Sequence, residues 1–408
     1  MSCSQGLQCN VTLFDIAQFS SLNFEFNHQS RRELFRGRVR MAASNIKILD
    51  SLEDLQEEIR QQTADLKGKE NVDFFYTLPW FENLFLHGLE PAQSEVVTGK
   101  FLLARDLSTN YLVCLPLLSG EKLTGLSNYY SSLYGPLSWS PKTSHEGVQD
   151  PDPSLWHAIG KRLRQDRANW PVITFSPLDE QAPFFTQMFT ALGRAGYWVD
   201  SFFCFGNWYL DVANQKFSAY FLTLPSLLRH NVERGQRRLS RHGAWCIDIL
   251  QSPGPILEAA IDDFVHVYNQ SWKTPEPNVL FIPNLIRMAA GQGWLRLGIL
   301  RLNGQAIAAQ LWLVKGQKAS IYKLAYDKSF ERFSAGSVLT HEMMKSVIDI
   351  DQVLEVDYLT GDDAYKQDWM SHRRERRGIV AFHPGTWPGI WQACKHFGGR
   401  QLKRRRLV

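Results

Sequence analysis

The sequence is poor in the features that mark secreted, membrane-bound and zinc-binding proteins. Its 408 residues include six cysteines, and none of them stands in a Cys-x-x-Cys pair that would indicate a zinc knuckle or a disulfide framework. No segment approaches the ~20 consecutive apolar residues of a membrane-spanning helix. The first 40 residues also lack the apolar core of a signal peptide. We therefore expect a cytoplasmic protein with no metal site and no membrane span.

Several common enzyme motifs are missing as well. There is no Gly-x-Gly-x-x-Gly, no Walker A loop and no Gly-x-Ser-x-Gly elbow, so dinucleotide redox chemistry, nucleotide hydrolysis and serine hydrolysis lack their local signatures. The zinc motif His-Glu-x-x-His is approached at His341-Glu342, but Lys345 takes the place of the second histidine. A net charge of +4 over the whole chain is too small to indicate a nucleic-acid partner.

The composition is that of a globular protein with more than one domain. Hydrophobic residues make up 44% of the chain and include 13 Trp, 13 Tyr and 25 Phe, which can fill sizeable cores. A single core rarely grows past ~250 residues, so a chain of this length favours two or three domains.

The pattern along the chain predicts a leader and two domains. Residues 1–45 show no helical or strand period and are expected to be a poorly ordered leader, with Met41 as an alternative start. Ordered structure is expected from Ser51, a plausible helix N-cap. We predict an N-terminal domain over 46–215, which includes a surface loop at 141–155, and a C-terminal domain with a short basic tail over 216–408.

Two β-hairpins with similar surroundings suggest an internal repeat. The first joins apolar runs at 101–104 and 111–118, and the second joins 294–302 to 306–314 across the strong turn signal Asn303-Gly304. A helical stretch rich in aromatic residues precedes each hairpin. Because helices and strands interleave in both halves, we predict two copies of one α/β fold.

One strand-to-helix junction has the composition of an anion site. A strand over 319–326 ends at Tyr326, and a helix is predicted to begin near Gly336. The first amides of a helix lack intrahelical acceptors and bind anions, and small residues let a pyrophosphate approach the backbone. These small residues are Ser334, Ala335, Gly336 and Ser337. An ordinary capped helix is the alternative interpretation.

A second group of polar residues follows the next predicted strand, 353–359. In open α/β sheets ligands lie beyond the carboxyl ends of the strands, so side chains after this strand are expected near the same site. They are Asp357, Asp362, Tyr365 and Lys366.

These residues, in this order, resemble a known family. The order Tyr-Asp, Ser-x-Gly-Ser-x-Leu, Asp-x-x-x-Gly and Tyr-Lys-x-x-Trp, from Tyr326 to Trp369, resembles the CelD/BcsL acetyltransferase-like group of the GNAT superfamily. The resemblance extends back to the helix with Leu228-Arg229-His230-Asn231 and Arg237-Arg238-Leu239, and to Trp272. It covers roughly residues 205 to 383.

The resemblance implies a fold and an activity. This group is similar to FemABX-type transferases, which implies tandem GNAT-like domains, each a mixed twisted sheet flanked by helices. It implies an N-acyltransferase that moves an acyl group from acetyl-CoA or another acyl-CoA to a small-molecule amine or amino sugar, in exopolysaccharide or cell-envelope synthesis. The usual pyrophosphate signature survives only in part, at Arg332–Ser337. An aminoacyl-tRNA donor, as in FemABX relatives, and a non-catalytic binding module therefore stay open.

Direct acyl transfer needs a base, a proton donor for the thiolate and a group that stabilises the oxyanion. We expect Asp357 to act as the base through water, Tyr365 to protonate the thiolate, and Lys366 to pair with a phosphate or the oxyanion. Bracing the loop is an alternative role for each of them. The donor would contact Tyr326 and the Ser334–Ser337 segment. Acceptor contacts are expected from the remaining candidates, Arg229, Arg237, Arg238, Trp272 and Asp362.

Overall fold

The computed structural model describes residues 44–63, 66–68, 72–89, 97–141, 152–165 and 170–405, all of which belong to one compact unit. Most of the predicted leader, including Met41, and most of the predicted loop 141–155 lie outside these residues. So do the side chains of the basic tail. No helix in the described ranges is long and apolar enough to cross a membrane.

The N-terminal half contains eight strands and four α-helices within the described ranges. In chain order they are β1 (Ser44–Leu49), α1 (Leu52–Gln62), β2 (Leu66–Gly68), α2 (Leu78–His87), β3 (Thr98–Asp106), β4 (Leu112–Ser119), β5 (Leu123–Gly125), β6 (Leu137–Pro141), α3 (Pro153–Gln165), β7 (Val172–Asp179), α4 (Pro183–Arg194) and β8 (Trp198–Asp211).

The C-terminal half contains six strands and seven α-helices within the described ranges. They are α5 (Phe217–Thr223), α6 (Ser226–His242), β9 (Trp245–Leu250), α7 (Pro255–Asn269), α8 (Phe281–Gly291), β10 (Leu295–Leu302), β11 (Gln305–Lys315), β12 (Lys318–Tyr326), α9 (Ala335–Lys345), β13 (Glu355–Asp357), α10 (Ala364–Gln367), β14 (His372–Phe382) and α11 (Trp387–Arg405). A 3₁₀ segment, Lys328–Phe333, links β12 to α9.

One mixed sheet runs through both halves, in the order β1-β3-β4-β5-β7-β14-β8-β13-β12-β11-β10-β9. The sheet consists of two sets of six strands with the same pattern, counted inward from each edge. In each set the first four strands pair antiparallel, the fourth and fifth pair parallel (β5–β7 or β12–β13), and the sixth is again antiparallel. The sixth strand of each set comes from the other half of the chain, because β14 pairs with β7 and β8 pairs with β13. The predicted α/β fold with a mixed sheet flanked by helices is confirmed.

The local signals of the sequence correspond to real elements. Both predicted hairpins are present as β3–β4 and β10–β11. Ser51 caps α1 by accepting a hydrogen bond from the amide of Asp54 at 3.0 Å. The expectation that order begins at Ser51 was wrong, because β1 precedes it and pairs along its whole length with β3.

Two core clusters lie on opposite faces of the C-terminal sheet. One cluster contains residues of α7 and α8 and is continuous with the core of the N-terminal half. The other contains residues of α6 and α9, including Val232, Leu239, Val338 and Leu339. Strand β11 serves both clusters through alternating side chains, with Leu311 on one face and Trp312 on the other.

Candidate functional site

The central feature of the site is a gap between two parallel strands, β12 and β13. They pair only where Lys318–Ser320 faces Glu355–Asp357. Beyond this point the chain after β13 stays beside β8, since the amide of Tyr358 donates to the Trp208 carbonyl at 2.9 Å. Strand β12 instead continues along β11 to Tyr326. The strands therefore separate at their carboxyl ends, which is where α/β sheets commonly bind ligands.

A pocket of about 270 Å³ occupies this gap. Both halves of the chain line it, because the Tyr129–Ser132 segment, which follows β5, reaches the strands of the C-terminal half. The Ser132 hydroxyl lies 2.6 Å from the Thr360 hydroxyl. The lining residues are Tyr129, Tyr130, Ser132, Lys273, Ile321, Tyr322, Lys323, Leu324, Tyr358, Leu359, Thr360, Asp363, Tyr365 and Lys366.

A β-bulge in β12 sets which side chains face the pocket. Trp312 pairs with Ile321 and Leu311 pairs with Lys323, so Tyr322 is an extra residue on β12. Tyr322 and Lys323 consequently point to the same face of the sheet. Tyr322 packs on aromatic rings of the N-terminal half, and its hydroxyl donates to the carbonyl of Tyr130 at 2.8 Å.

Lys323 lies in a cluster of aromatic rings and is neutralised by a carboxylate. Its Nζ is 2.6 Å from an oxygen of Glu276, and both side chains are largely buried. The same Nζ lies 4.6 Å from the ring centroid of Tyr129 and 5.8 Å from that of Tyr268. Burial raises the pKa of the Tyr268 hydroxyl, and the nearby Glu276 adds to the effect.

Lys273 approaches the pocket from the loop after α7. Its Nζ lies 5.8 Å from the ring centroids of both Tyr268 and Trp272. The structure gives this lysine no ion pair among the residues it describes. Burial, with a further contribution from Lys323, lowers the pKa of Lys273 to about 8.

Two predicted catalytic residues, Tyr365 and Lys366, do line the pocket. Tyr365 is 43% exposed and meets the ring of Tyr358 edge-on. Burial raises the pKa of its hydroxyl, so the phenol keeps its proton at neutral pH. Lys366 is nearly buried; it donates to the carbonyls of Thr360 and Gly361 and lies 3.2 Å from a carboxylate oxygen of Asp363. Its contacts stabilise the loop that carries Tyr365.

The structure does not support Asp357 as a catalytic base. Its side chain is completely buried. One carboxylate oxygen accepts hydrogen bonds from the Asn207 amide group and the Leu359 backbone, and the other lies 2.6 Å from both Lys318 and Arg374. Burial opposes its charge, but the two cations outweigh burial and hold the pKa of Asp357 well below its usual range. An enclosed, fully bonded carboxylate has no access to a substrate.

Asp362 also differs from its predicted role. It forms a bidentate pair with Arg373 of β14, with distances of 2.9 and 2.6 Å, and is absent from the pocket lining. Among the described lining residues, Asp363 is the only carboxylate. The turn before it contains Gly361, whose φ of +106° lies in the region that favours glycine.

The predicted anion site lies at the start of α9, beside the end of β12. Ser334 has the left-handed conformation, and half-buried Gly336 and Ser337 open the helix. Tyr326, at the end of β12, lies beside Gly336 and contacts the ring of Trp272 at a centroid distance of 4.6 Å. Two residues that the sequence assigned to different substrates are therefore in contact.

Helix α6 packs closely against the turn that precedes α9. A Cβ atom on Gly235 would lie 2.5 Å from the carbonyl oxygen of Phe333, so only glycine allows this approach. The Arg238 guanidinium donates to the Arg332 carbonyl at 2.5 Å, and exposed Arg237 lies near the same end of the helix. Arg229, in contrast, donates to the Leu224 carbonyl near the start of α6 and does not line the pocket.

Sequence reasoning missed the pocket residues that come from distant segments. Tyr129 and Ser132 belong to the other half of the chain, and no local pattern connects them with β12. The sequence did not indicate Lys323 as a pocket residue, because strict alternation of side chains would place Lys323 and Tyr322 on opposite faces of the strand. The signal in the sequence was a lysine within the apolar run 321–326 of β12.

Part of the chain matches one family model, and most of it resembles solved structures in fold. Residues 226–367 match the family model Acetyltransf_6, described as an acetyltransferase (GNAT) domain. No curated protein matches the chain. FemX is 9% identical with a TM-score of 0.51, and the match covers 82% of this chain and 96% of FemX.

Two further structures cover most of the chain. A conserved protein of unknown function from Bacteroides thetaiotaomicron is 13% identical with a TM-score of 0.48, over 83% of this chain and 100% of its own. A tandem GNAT protein from the clavulanic acid biosynthesis pathway is 10% identical with a TM-score of 0.43, over 84% and 100%. The chain thus carries, at residues 226–367, a match to the GNAT acetyltransferase domain, within a fold similar to that of FemX.

Proposed function

We propose that the protein is an N-acyltransferase that transfers an acyl group from acyl-CoA to an amine in the gap between β12 and β13. One observation carries this proposal. Strand β12 lines the gap through Ile321–Leu324 and ends two residues later at Tyr326, whose ring lies beside Gly336 at the start of α9, within the segment that matches the GNAT domain. The first amides of this helix suit a pyrophosphate, and the gap suits the thioester end of the same molecule.

The donor would bind on the α9 side of the sheet. Its pyrophosphate would receive hydrogen bonds from the Ala335, Gly336 and Ser337 amides, where the helix dipole also favours negative charge. Tyr326 and Trp272 form an aromatic wall beside these amides. The co-substrate is an acyl-CoA, with acetyl-CoA as the first to test.

The reaction forms one C–N bond and breaks one C–S bond. A neutral amine attacks the thioester carbonyl carbon, the thiolate departs, and the amine loses a proton. Tyr365, which keeps its proton, can donate a hydrogen bond to the thiolate. We assign the role of proton acceptor to Asp363, acting through water, in place of the enclosed Asp357. No covalent intermediate on the protein is required.

A different donor is the second candidate function. Arg234, Arg237, Arg238 and Arg241 are exposed on α6, and this helix packs against the turn before α9. A basic surface beside the donor site also suits aminoacyl-tRNA. Transfer from charged tRNA in the absence of any acyl-CoA would favour this candidate over the first.

Substitution of Ser337 by glutamate tests the donor site. A carboxylate there would repel the pyrophosphate, so we expect the Kd for acetyl-CoA, measured by calorimetry, to rise at least about tenfold, or ~1.4 kcal/mol. Ile256→Glu is the matched control, because it adds the same charge at the start of α7, where Ile256 is exposed. Unchanged affinity in Ser337→Glu, or no binding of any acyl-CoA at millimolar concentration, would contradict the proposal. Amino sugars are the first acceptors to test, given the resemblance to the CelD/BcsL group.

A further inference from the structure

The charges of the pocket do not balance. Three lysines line it, and two have partners: Lys323 is paired with Glu276 at 2.6 Å, and Lys366 with Asp363 at 3.2 Å and two carbonyls. Lys273 has no carboxylate within ion-pair distance in the described part of the chain. Within the residues that the structure describes, the pocket therefore contains one ammonium group without an ion-pair partner of its own.

The surroundings of Lys273 make this imbalance costly. The side chain is half-buried, and its ammonium group lies near the Tyr268 and Trp272 rings. Burial and the nearby Lys323 lower the pKa of Lys273, and the carboxylates of Glu276 and Asp363 offset this only in part. A cation in such a position is stabilised when a ligand supplies a negative group, because charge-assisted hydrogen bonds are stronger in partly buried sites.

The position of Lys273 indicates which substrate supplies that group. Tyr268 belongs to the core cluster on the face of the sheet opposite α9. Lys273, Lys323 and the Tyr129–Ser132 segment reach the pocket from that face, whereas the amides proposed for the pyrophosphate belong to α9. Lys273 also lies 5.8 Å from the Trp272 ring, and Trp272 in turn contacts Tyr326 beside Gly336. In this arrangement the acyl-CoA phosphates would lie on the α9 side of these two rings, and Lys273 on the other side.

We infer that the acceptor is an amine that also bears an anionic group, a carboxylate or a phosphate, and that Lys273 binds this group. The inference rests on the proposed function, since it assigns the second side of the same gap. It predicts that amino acids or phosphorylated amino sugars are better acceptors than their neutral analogues. Lys273 then fixes the acceptor so that its amine faces the thioester.

The first test uses inorganic phosphate as the probe on protein saturated with coenzyme A, so that the donor site is occupied. Thermal unfolding is followed in wild-type protein, in Lys273→Met, and in Lys395→Met, an exposed lysine on α11 that serves as the control. We expect phosphate to raise the Tm of the wild type and the control, with the dissociation constant at least about tenfold weaker in Lys273→Met. Equal responses in all three proteins would overturn the inference.

The second test compares acceptors of matched shape. Glucosamine 6-phosphate is compared with glucosamine, and glycine with glycinamide, using kcat/KM for each. Lys273→Met should lose the preference for the anionic member while its Kd for acetyl-CoA stays unchanged. A weaker Kd for acetyl-CoA with intact acceptor preference would assign Lys273 to the donor and overturn the inference. Failure of the wild type to bind acyl-CoA would instead refute the proposed function.

Discussion

At the scale of single residues, two aspartates on either side of one turn have opposite environments. Asp357 is enclosed by cations and amides at the end of β13, while Asp363 lines the pocket. The sequence indicated Asp357 and Asp362, which flank a glycine-containing turn after a strand, but it did not single out Asp363. It could not show that Asp357 is enclosed, because Lys318 and Arg374, which surround its carboxylate, come from other strands.

Replacing Asp357 with Asn should therefore destabilise the fold. The change leaves buried cations without their partner, so we expect the free energy of unfolding in denaturant to fall by about 3–5 kcal/mol. Asp362→Asn is the matched control, because its pair with Arg373 is exposed and should contribute no more than about 1 kcal/mol. A large loss of kcat in Asp357→Asn with unchanged stability would restore its role as a base.

The pH dependence of this contribution has a defined sign. The pKa of Asp357 is lowered in the folded state, so its stabilisation is fully present above the unfolded pKa of ~3.9 and is lost as the pH falls further. The wild type should therefore lose more stability than Asp357→Asn when the pH is taken below ~4. Parallel pH profiles for the two proteins would contradict this account of the charge.

At the scale of elements, local sequence patterns predicted those strands, turns and helix starts that depend on neighbouring residues in the chain. Alternating apolar residues and the Asn303-Gly304 turn predicted the β10–β11 hairpin, and the small residues after Tyr326 predicted the start of α9. Strand β14 was predicted only from Gly378, because its first half carries four arginines and a glutamate. Those residues are in a strand because β8 pairs with them and because acidic partners neutralise several of the arginines.

Gly235 tests the contact between α6 and the donor site. Gly235→Ala places a Cβ atom 2.5 Å from the Phe333 carbonyl, so α6 must move and the turn before α9 must shift with it. We expect lower stability and weaker binding of acetyl-CoA, by about tenfold, since a displacement of the helix start misplaces the amides. Calorimetry measures both.

The control for this variant is Gly193→Ala in α4, where a Cβ atom would have open space. It should leave acetyl-CoA binding unchanged and stabilise the protein by up to about 1 kcal/mol, because alanine favours the helix. Equal behaviour of the two variants would mean that the close approach of α6 has no influence on the site.

At the scale of the whole molecule, the pocket depends on both halves of the chain. The last strand of each half pairs with a strand of the other half, β8 with β13 and β14 with β7. In addition, Lys318 of β12 forms an ion pair with Asp73 of the N-terminal half at 2.8 Å. The repeated hairpins predicted two related halves, but exchange of β8 and β14 leaves no local trace in the sequence. The domain boundary between residues 215 and 216 remains a proposal. It assigns β8 to the N-terminal domain, although β8 completes the sheet of the C-terminal half.

The central claim is that acyl-CoA binds in the gap between β12 and β13. Hydrogen exchange with and without acetyl-CoA tests it most directly, because amides covered by a ligand exchange more slowly. We predict slower exchange in two segments, 334–340 at the start of α9 and 358–366 after β13. Protection confined to other parts of the chain, or no protection at saturating acetyl-CoA, would contradict the account.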